Sequence, residues 1–357
     1  MSGSDPLSLF PLIAWTLRIH CWLLHALDSR VMRAILIDEP GDENCMKIGE
    51  APPASIRAGA IRIENHASGV NRADLLQRQG FYPPPPGAPP TLGLECSGVV
   101  TEIGDGVESF AMGDRVMALL PGGGYAEEVV VDAGSAIALP DALSFEEGAG
   151  LTETLLTVFL NVFQLGDLPQ GGTVLVHGGG SGIGTTTIDL VKRAGGKVIA
   201  TAGSAEKCAR CLEIGADAVA NYRDEDWVEV VKKTTDGRGV DVVLDSIGAS
   251  YLEGNLNSLA TDGALVLIGL MGGAKAEISL GALLTRRLRV LGSTLRTRSD
   301  AQKAGIVSAF LERFGDDLAV GKIRPVIHQV FPLADAPEAH RMLKASTHFG
   351  KVILSVR

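Results

Sequence analysis

The sequence predicts an α/β protein of two domains, a β-rich domain followed by a domain built on a parallel sheet. Three observations predict this fold. The chain has 357 residues, a length typical of about two domains. Residues 32–150 contain short strand patterns separated by turns rich in glycine and proline. From about Phe145 to residue 295, continuous apolar strands alternate with helices, as in a parallel sheet covered by helices on both faces.

The first region is predicted to contain little helix. Residues 83–90 include six prolines, so they form an extended loop that is neither helix nor central strand. Glycine-containing turns are predicted at Gly104–Gly106 and Gly122–Gly124. The predicted strands are Met32–Asp38, Ala60–Ala67, Leu94–Ile103, Arg115–Leu119 and Tyr125–Val131.

The second region alternates between the two kinds of element. Its predicted strands are Thr173–His177, Lys197–Ala202, Val219–Asn221, Val240–Asp245, Leu265–Leu270 and Leu288–Ser293. Its predicted helices are Gly182–Ala194, Ala205–Ile214, Asp224–Thr234 and Tyr251–Leu259. The tail, with a helix near Ala334–Ala345 and a strand at Lys351–Val356, is expected to return to the first domain.

Composition excludes several classes of protein. The formal net charge of −10 repels phosphate backbones, so nucleic acid is not an expected partner. Five scattered cysteines are too few for a disulfide framework, which favours a reducing compartment and predicts a cytoplasmic protein. No paired carboxylates and no Ser–His–Asp set can be assembled from spacing, which disfavours a hydrolase.

Residues 1–31 form an extension that is not expected to belong to the fold. The apolar run Leu7–Leu27 is interrupted by Arg18, His20 and His25, and it lacks the basic flank of a secretory signal. One interpretation is a wrongly assigned start, with Met32 as the true first residue. The other is a targeting or membrane-contacting helix. On the first interpretation no membrane partner is expected.

A glycine-rich loop, Gly178–Gly184, follows the strand Thr173–His177 and precedes a helix. Glycines let the backbone approach a pyrophosphate closely, and the helix N-terminus offers free N–H groups and a positive dipole end. Ser181 and Ile183 depart from a strict GxGxxG spacing. In a strand–loop–helix–strand context the loop still predicts a dinucleotide site.

The end of the next strand indicates which dinucleotide is bound. A site for NAD places an Asp or Glu there to hold the ribose 2′-hydroxyl, and no acid stands at the end of this strand. Ser204, Lys207 and Tyr222 instead offer the donors that a 2′-phosphate needs, which predicts NADPH. Ser204 as a helix N-cap and Lys207 as a solvated residue would be compatible with the same pattern.

Six motifs carry a resemblance to a known family: Gly69–Leu75, Gly93–Val100, Gly113–Val116, Gly178–Gly184, Gly203–Lys207 and Gly350–Lys351. With them, residues 32–357 resemble the zinc-free quinone oxidoreductase (zeta-crystallin-like) branch of the medium-chain dehydrogenase/reductase superfamily. The resemblance implies a GroES-like catalytic domain at residues 32–150 and a Rossmann NADPH-binding domain at 151–296. Residues 297–357 would return to the catalytic domain. A homodimer or homotetramer is implied.

The resemblance also implies that no metal takes part. Zinc relatives carry a catalytic Cys where this chain has Asn71 and a His where it has Leu94. They also carry four clustered structural cysteines, which this chain lacks. Cys208 and Cys211 form a CxxC on a predicted helix without a second ligand pair, so packing in the core is the better interpretation.

The chemistry implied is hydride transfer from NADPH to a quinone, for which the protein supplies positioning and a hydrogen-bond donor. Asn71 and Tyr82 are the implied catalytic residues, although Asn71 could stabilise its own turn and Tyr82 could simply pack. Thr157 is implied beside the nicotinamide, or else in an ordinary helix interior. His177 is expected to be a structural histidine. The remaining implied cofactor residues are Gly180, Ser181, Gly182, Ile183, Gly184, Gly203, Gly248, Gly269, Leu270, Met271, Leu295 and Lys351.

Two alternatives to a quinone reductase stay open. A reductase of α,β-unsaturated carbonyls would use the same hydride geometry. A non-enzymatic NADPH-binding regulator would keep the cofactor loop and need no substrate site. The physiological substrate, and whether one or two electrons are transferred, are not indicated by the sequence.

Overall fold

The computed structural model describes residues 30–357. The predicted extension 1–31 therefore lies outside the described residues, apart from its last two. In the part of the chain that is described, every helix is too short or too polar to cross a membrane.

A six-stranded parallel sheet forms the second region. Its spatial order is β10-β9-β8-β11-β12-β13, which is 3-2-1-4-5-6 when its strands are numbered along the chain. This order is that of a doubly wound dinucleotide-binding sheet, so the predicted fold class is confirmed. The strands are β8 Thr173–His177, β9 Lys197–Ala202, β10 Ala218–Asn221, β11 Val240–Asp245, β12 Leu259–Leu267 and β13 Arg289–Gly292.

The parallel sheet is buried on both faces because successive apolar side chains point to opposite sides of a strand. Val174 and Val176 pack into one core together with Ile188 of the following helix. Leu175 packs into a second core on the other face, with Val231. Continuous apolar strands in the sequence were therefore a reliable indication of this layer.

A seven-stranded, mostly antiparallel sheet forms the first region, in the order β14-β15-β3-β4-β5-β7, and β6 also pairs with β3. A separate hairpin joins β1 and β2. Since β15 pairs antiparallel with β3, the end of the chain returns to the first sheet, as expected. The strands are β1 Met32–Ile37, β2 Met46–Ala51, β3 Ala60–Val70, β4 Glu95–Ile103, β5 Arg115–Leu119, β6 Glu128–Asp132, β7 Ala136–Ala138, β14 Ile327–Pro332 and β15 Lys351–Ser355.

Ten α-helices are found among residues 30–357, and α3 runs on into a π-helical segment, Phe159–Leu165. Short 3₁₀ turns lie at Glu43–Cys45, Ala133–Ser135, Ala249–Tyr251 and Leu333–Asp335. The α-helices are α1 Arg72–Arg78, α2 Phe145–Ala149, α3 Thr152–Val158, α4 Gly182–Arg193, α5 Ala205–Glu213, α6 Trp227–Thr234, α7 Leu252–Ser258, α8 Leu280–Arg286, α9 Asp300–Ala319 and α10 Ala336–Ala345.

Several predicted elements differ from the structure. The strand predicted at Leu265–Leu270 is Leu259–Leu267, because residues 268–271 leave the sheet to form a loop over its edge. The helix predicted from Asp224 begins only at Trp227, since Asp226 caps it by accepting from the Val228 N–H. The prediction omitted α9, which begins at a capping box of Ser299 and Gln302. The domain bounds at residues 150 and 296 stay predictions.

Candidate active site

The glycine loop runs from the end of β8 into the N-terminus of α4 at the carboxyl edge of the parallel sheet. Ser181 is the N-cap of α4 and accepts a hydrogen bond from the Gly184 N–H at 3.0 Å. The amides of Gly182 and Ile183 lie in the first turn of the helix, where no carbonyl within the helix can pair with them. The loop therefore presents free donors at a positive helix end, which suits an anion.

Glycine is required in this loop because other atoms already occupy the space of a side chain. A Cβ at Gly184 would overlap the backbone of Gly178 and Gly179. A Cβ at Gly182 would lie 2.5 Å from the Cδ of Lys351. The predicted residues from Gly180 to Gly184 thus form a backbone-lined cradle, and such a cradle fits the pyrophosphate of a dinucleotide.

The donors predicted for a 2′-phosphate meet at the end of the neighbouring strand β9. Ser204 caps α5 by accepting from the Lys207 N–H at 3.3 Å. The hydroxyl of Tyr222, which follows β10, lies directly against Gly203. The Lys207 Nζ donates to the carbonyl of Ser346 at 2.6 Å. The three side chains are thus brought together, and Lys207 is engaged with the loop before β15.

The segment before β15 lies across the glycine loop. The Gly350 N–H donates to the Gly180 carbonyl at 2.8 Å, and Phe349 is buried against Gly180. Arg210 of α5 places its guanidinium 3.9 Å from the centre of the Phe349 ring. Gly350 has φ +89°, and a Cβ there would run into the Val326 carbonyl. The end of the chain therefore forms one wall of the predicted cofactor site.

The other predicted cofactor residues lie at the ends of the next strands of the sheet. The loop Gly269–Gly273 rests on residues 246–248, with Met271 N–H donating to the Ser246 carbonyl at 3.1 Å. Leu270 and Met271 are each more than half exposed at this edge. The parallel sheet brings Gly248, Gly269, Leu270 and Met271 to the same edge as the glycine loop. Leu295 differs, because its side chain is buried in the core.

A buried polar cluster, consisting of Asn71, Glu95 and Lys351, lies at the start of α1. The Lys351 Nζ donates to the Glu95 Oε1 at 2.6 Å and to the Asn71 Oδ1 at 2.7 Å. The Asn71 Nδ2 also donates to the Glu95 Oε1, at 2.9 Å. Glu95 and Lys351 are almost fully buried. The structure therefore joins two predicted residues, Asn71 and Lys351, through a carboxylate that sequence reasoning left unassigned.

Asp74 adds a second buried carboxyl next to this cluster. Its carboxylate accepts from the Asn71 N–H at 2.8 Å, which completes the capping box of α1, and from the Gly93 N–H at 3.0 Å. The Tyr125 hydroxyl lies 3.3 Å from Asp74 and 3.0 Å from the His340 Nε2. Burial raises the pKa of Asp74 to about 6 despite these donors.

Tyr82 is held at the mouth of the cleft by Arg296. The guanidinium lies 5.1 Å from the Tyr82 ring and donates to the Tyr82 carbonyl at 3.3 Å. It also donates to the Gln77 Oε1 at 2.6 Å and the Pro121 carbonyl at 2.8 Å. Burial raises the pKa of the Tyr82 hydroxyl, so it stays protonated and can donate. Arg296 therefore fixes both the ring and the backbone carbonyl of Tyr82.

Helix α3 carries one predicted residue and one that was missed. Thr157 is buried, and its carbonyl accepts from the Asn161 Nδ2 at 2.7 Å. Glu153, one turn earlier on the same face, is partly buried. Its N–H donates to the Glu95 Oε2 at 2.9 Å. No local motif distinguishes Glu153 in the sequence, because the groups around it come from distant parts of the chain.

Two further predictions concern residues without a role in the reaction, His177 and the pair Cys208 and Cys211. His177 is buried, with its Nδ1 3.1 Å from the Thr201 Oγ1 and its Nε2 2.7 Å from the Asn255 Oδ1, as expected for a structural histidine. Cys208 and Cys211 are free thiols on α5, and Cys211 is fully buried in the core. In the described part of the chain, no group of three His, Cys, Asp or Glu side chains is arranged to hold a metal ion.

Comparison with known proteins gives matches along most of the chain. Residues 57–141 match the alcohol dehydrogenase GroES-like domain, and residues 182–309 match the family described as zinc-binding dehydrogenase. The quinone oxidoreductase of Rattus norvegicus is 31% identical over 335 residues, which cover 92% of this chain and 99% of the relative.

Solved structures agree with these matches. The Escherichia coli quinone oxidoreductase complexed with NADPH is 31% identical with a TM-score of 0.79, covering 91% of this chain and 99% of that one. The CurK enoyl reductase is 26% identical with a TM-score of 0.80, covering 91% and 99%. The GroES-like and Rossmann assignments are thereby confirmed. The chain is an oxidoreductase and belongs to the quinone oxidoreductase branch of the medium-chain dehydrogenase/reductase superfamily.

Proposed function

We propose that the protein is an NADPH:quinone reductase (EC 1.6.5, most closely 1.6.5.5) that works without a metal. One observation carries the proposal. The glycine cradle of α4 lies next to the Asn71–Glu95–Lys351 cluster. The methylene groups of Lys351 lie against Gly182 of the cradle, and its ammonium group binds Asn71 and Glu95. Ser204 and Lys207 lie beside the cradle. A dinucleotide in the cradle would therefore extend toward a polar cluster that can orient an electron-poor acceptor.

The cofactor would be held mostly by backbone. The amides of Gly182 and Ile183 would bind the pyrophosphate, and Ser204, Lys207 and Tyr222 would bind the 2′-phosphate. Bound NADPH would supply hydride. To bind the 2′-phosphate, Lys207 must give up its hydrogen bond to the Ser346 carbonyl, which is 2.6 Å long. A charged phosphate is the stronger acceptor, so the exchange is favourable.

The substrate would be oriented by hydrogen bonds rather than by a Lewis acid. The Asn71 amide donates one N–H to Glu95, and its oxygen accepts from Lys351. Its other contact, to the Gly69 carbonyl, is long at 3.4 Å, so a quinone carbonyl would take that N–H in place of Gly69. The Tyr82 hydroxyl is the second donor. The proposal that no metal takes part rests on Asn71 and Leu94, because an amide and an alkyl side chain stand where zinc relatives carry Cys and His.

The activity is tested by NADPH oxidation with a panel of 1,4-benzoquinone, ortho-quinones and small enones. We expect the quinones to give the highest kcat/KM, and addition of a strong chelator should leave the rate unchanged. Oxidation no faster than the enzyme-free background with every acceptor would contradict an enzymatic role. It would favour a non-enzymatic NADPH-binding protein.

The choice of cofactor is tested by Lys207→Ala. We expect NADPH affinity to fall at least tenfold because a charge-assisted hydrogen bond contributes about 1.5–3 kcal/mol, while NADH affinity stays nearly unchanged. Lys233→Ala, which removes an exposed lysine on α6, is the control and should alter neither. Equal losses for both cofactors would contradict the assignment of the 2′-phosphate site.

A reductase of α,β-unsaturated carbonyls is the second candidate. The likeness to the CurK enoyl reductase favours it, and the same pocket could orient an enone carbonyl against Asn71 or Tyr82. The acceptor panel separates the two, because an enone reductase would give a higher kcat/KM with enones than with any quinone.

We also propose a homodimer, or a homotetramer built from it, in the cytoplasm. The edge strand β13 and the exposed Leu280 and Leu284 of α8 offer an unpaired edge beside an apolar surface. Free thiols at Cys45, Cys96, Cys208 and Cys211 suit a reducing compartment. Analytical ultracentrifugation is expected to show a dimer or tetramer, and Leu284→Glu should shift the mass toward the monomer.

A further inference from the structure

Glu153 is a carboxyl at the boundary of the two sheets that the proposed function leaves unused. Its N–H donates to Glu95, and the adjacent Thr154 Oγ1 lies 3.0 Å from the Thr186 Oγ1 of the cofactor helix α4. Thr154 also lies against Gly182 of the cradle. This turn of α3 therefore contacts both the polar cluster and the helix that would hold the cofactor, and Thr157 follows on the same face.

The three carboxyls here differ in their hydrogen bonds. Glu95 accepts from Asn71, from Lys351 and from the Glu153 N–H. Asp74 accepts from two backbone N–H groups and lies within reach of the Tyr125 hydroxyl. The Glu153 carboxyl has neither a hydrogen bond nor an ion pair to any residue within 30–357. It is therefore the carboxyl of the three that is least able to stay ionised.

The charges around Glu153 come from six elements of the chain. Burial, then the Glu95 carboxylate, raises its pKa to about 8, while Lys351 and Arg296 act in the opposite direction. Because burial and the Glu95 carboxylate outweigh the attraction of these cations, a neutral Glu153 is the least costly arrangement at neutral pH. The groups that face it are Asp74, Tyr82, Glu95, Arg296, Lys303 and Lys351.

We propose that Glu153 is the general acid that protonates the oxygen of the reduced acceptor, an assignment that rests on the proposed reductase function. The quinone gains two electrons and one hydrogen as hydride. The O–H bond of Glu153 then breaks, its electron pair stays on the carboxylate, and the proton forms the O–H bond of the hydroquinone. The Glu153 carboxylate takes up a proton from water before the next turnover. Tyr82 orients the acceptor by a hydrogen bond without losing its proton.

The decisive variant is Glu153→Gln, which keeps the size of the side chain and removes the proton. A positioned general acid contributes 10²–10⁴-fold, so we expect kcat for 1,4-benzoquinone to fall about 100-fold. NADPH affinity, measured by fluorescence titration, should change less than twofold. In the wild type kcat should fall as the pH rises through about 8, because Glu153 then loses its proton. This fall should be absent from Glu153→Gln and retained by Glu153→Asp.

Glu253→Gln is the matched control. Glu253 is an exposed glutamate in the first turn of α7, as Glu153 is in the first turn of α3, so kcat and the pH profile should match the wild type. A second readout is independent of turnover. Above about pH 7, where Asp74 with its pKa of about 6 is ionised, the infrared band of a protonated carboxyl should disappear from the wild type as the pH rises through about 8, and it should be missing from Glu153→Gln.

The outcomes separate the two proposals. If the wild type reduces quinones and Glu153→Gln matches it in kcat and pH profile, Glu153 is not the donor. The same conclusion follows if the wild type shows no protonated carboxyl band that the substitution removes. If the wild type reduces neither quinones nor enones, the proposed function fails first and the donor role fails with it.

Discussion

The two faces of the candidate cleft are built by opposite means. The cofactor face is backbone, with Gly182 and Gly184 at positions where a Cβ would collide with Lys351 or with the loop itself. The opposing face is a set of buried charged side chains, in which Lys351 and Glu95 pair at 2.6 Å although 256 residues separate them. One face depends on excluding side chains, and the other depends on compensating every charge it buries.

Lys351→Met should give the largest effect, on the charged face. It removes the ammonium from a fully buried carboxylate, and breaking a buried ion pair typically costs 3–5 kcal/mol. Urea unfolding should show a loss of that size in the free energy of unfolding. The double variant Lys351→Met, Glu95→Gln should recover most of it, because no buried charge is then left unpaired. A double variant as unstable as the single one would contradict the pairing argument.

Gly184→Ala tests the backbone face and should give the second effect. The added Cβ overlaps Gly178 and Gly179, and such overpacking costs about 1–3 kcal/mol. It also displaces the amides of the cradle, so NADPH affinity should fall more than stability alone suggests. Gly305→Ala in α9 is the control, since no atom lies within 4 Å of its Cβ, and it should stabilise by about 0.5–1 kcal/mol.

The same difference explains how much the sequence predicted. The cradle follows from adjacent residues, so the strand, loop and helix from Thr173 to Arg193 were predicted almost to the residue. The charged face depends on contacts between β4, β15 and α3, and these contacts cannot be inferred from the spacing of residues in the sequence. Asn71 and Lys351 could be carried over from the family resemblance. The role of Glu95 as their common partner, and the position of Glu153, required the fold.

Ser204→Asp tests whether Ser204, at the edge of the cofactor face, binds the 2′-phosphate or only caps α5. Asp is as good an N-cap as Ser, so the stability of α5 should change by only a few tenths of a kcal/mol. The added negative charge should weaken NADPH at least tenfold and leave NADH affinity equal or better. Ser204→Ala should instead lose about 1 kcal/mol of stability, measured by thermal unfolding. A Ser204→Asp variant that still prefers NADPH would show that Ser204 only caps the helix.

The stability of the protein in acid depends on buried histidines in both halves of the molecule. Burial lowers the pKa of His177 in the parallel sheet to about 4 and that of His340 behind the charged face to about 3. Each binds its proton more readily when unfolded, so stability is full above about pH 6.5 and falls as the pH drops toward these values. Each histidine contributes a slope of at most about 1.4 kcal/mol per pH unit. Urea midpoints between pH 7 and pH 4 should show this slope reduced in His177→Gln, and an unchanged slope would mean that His177 is protonated in the folded protein.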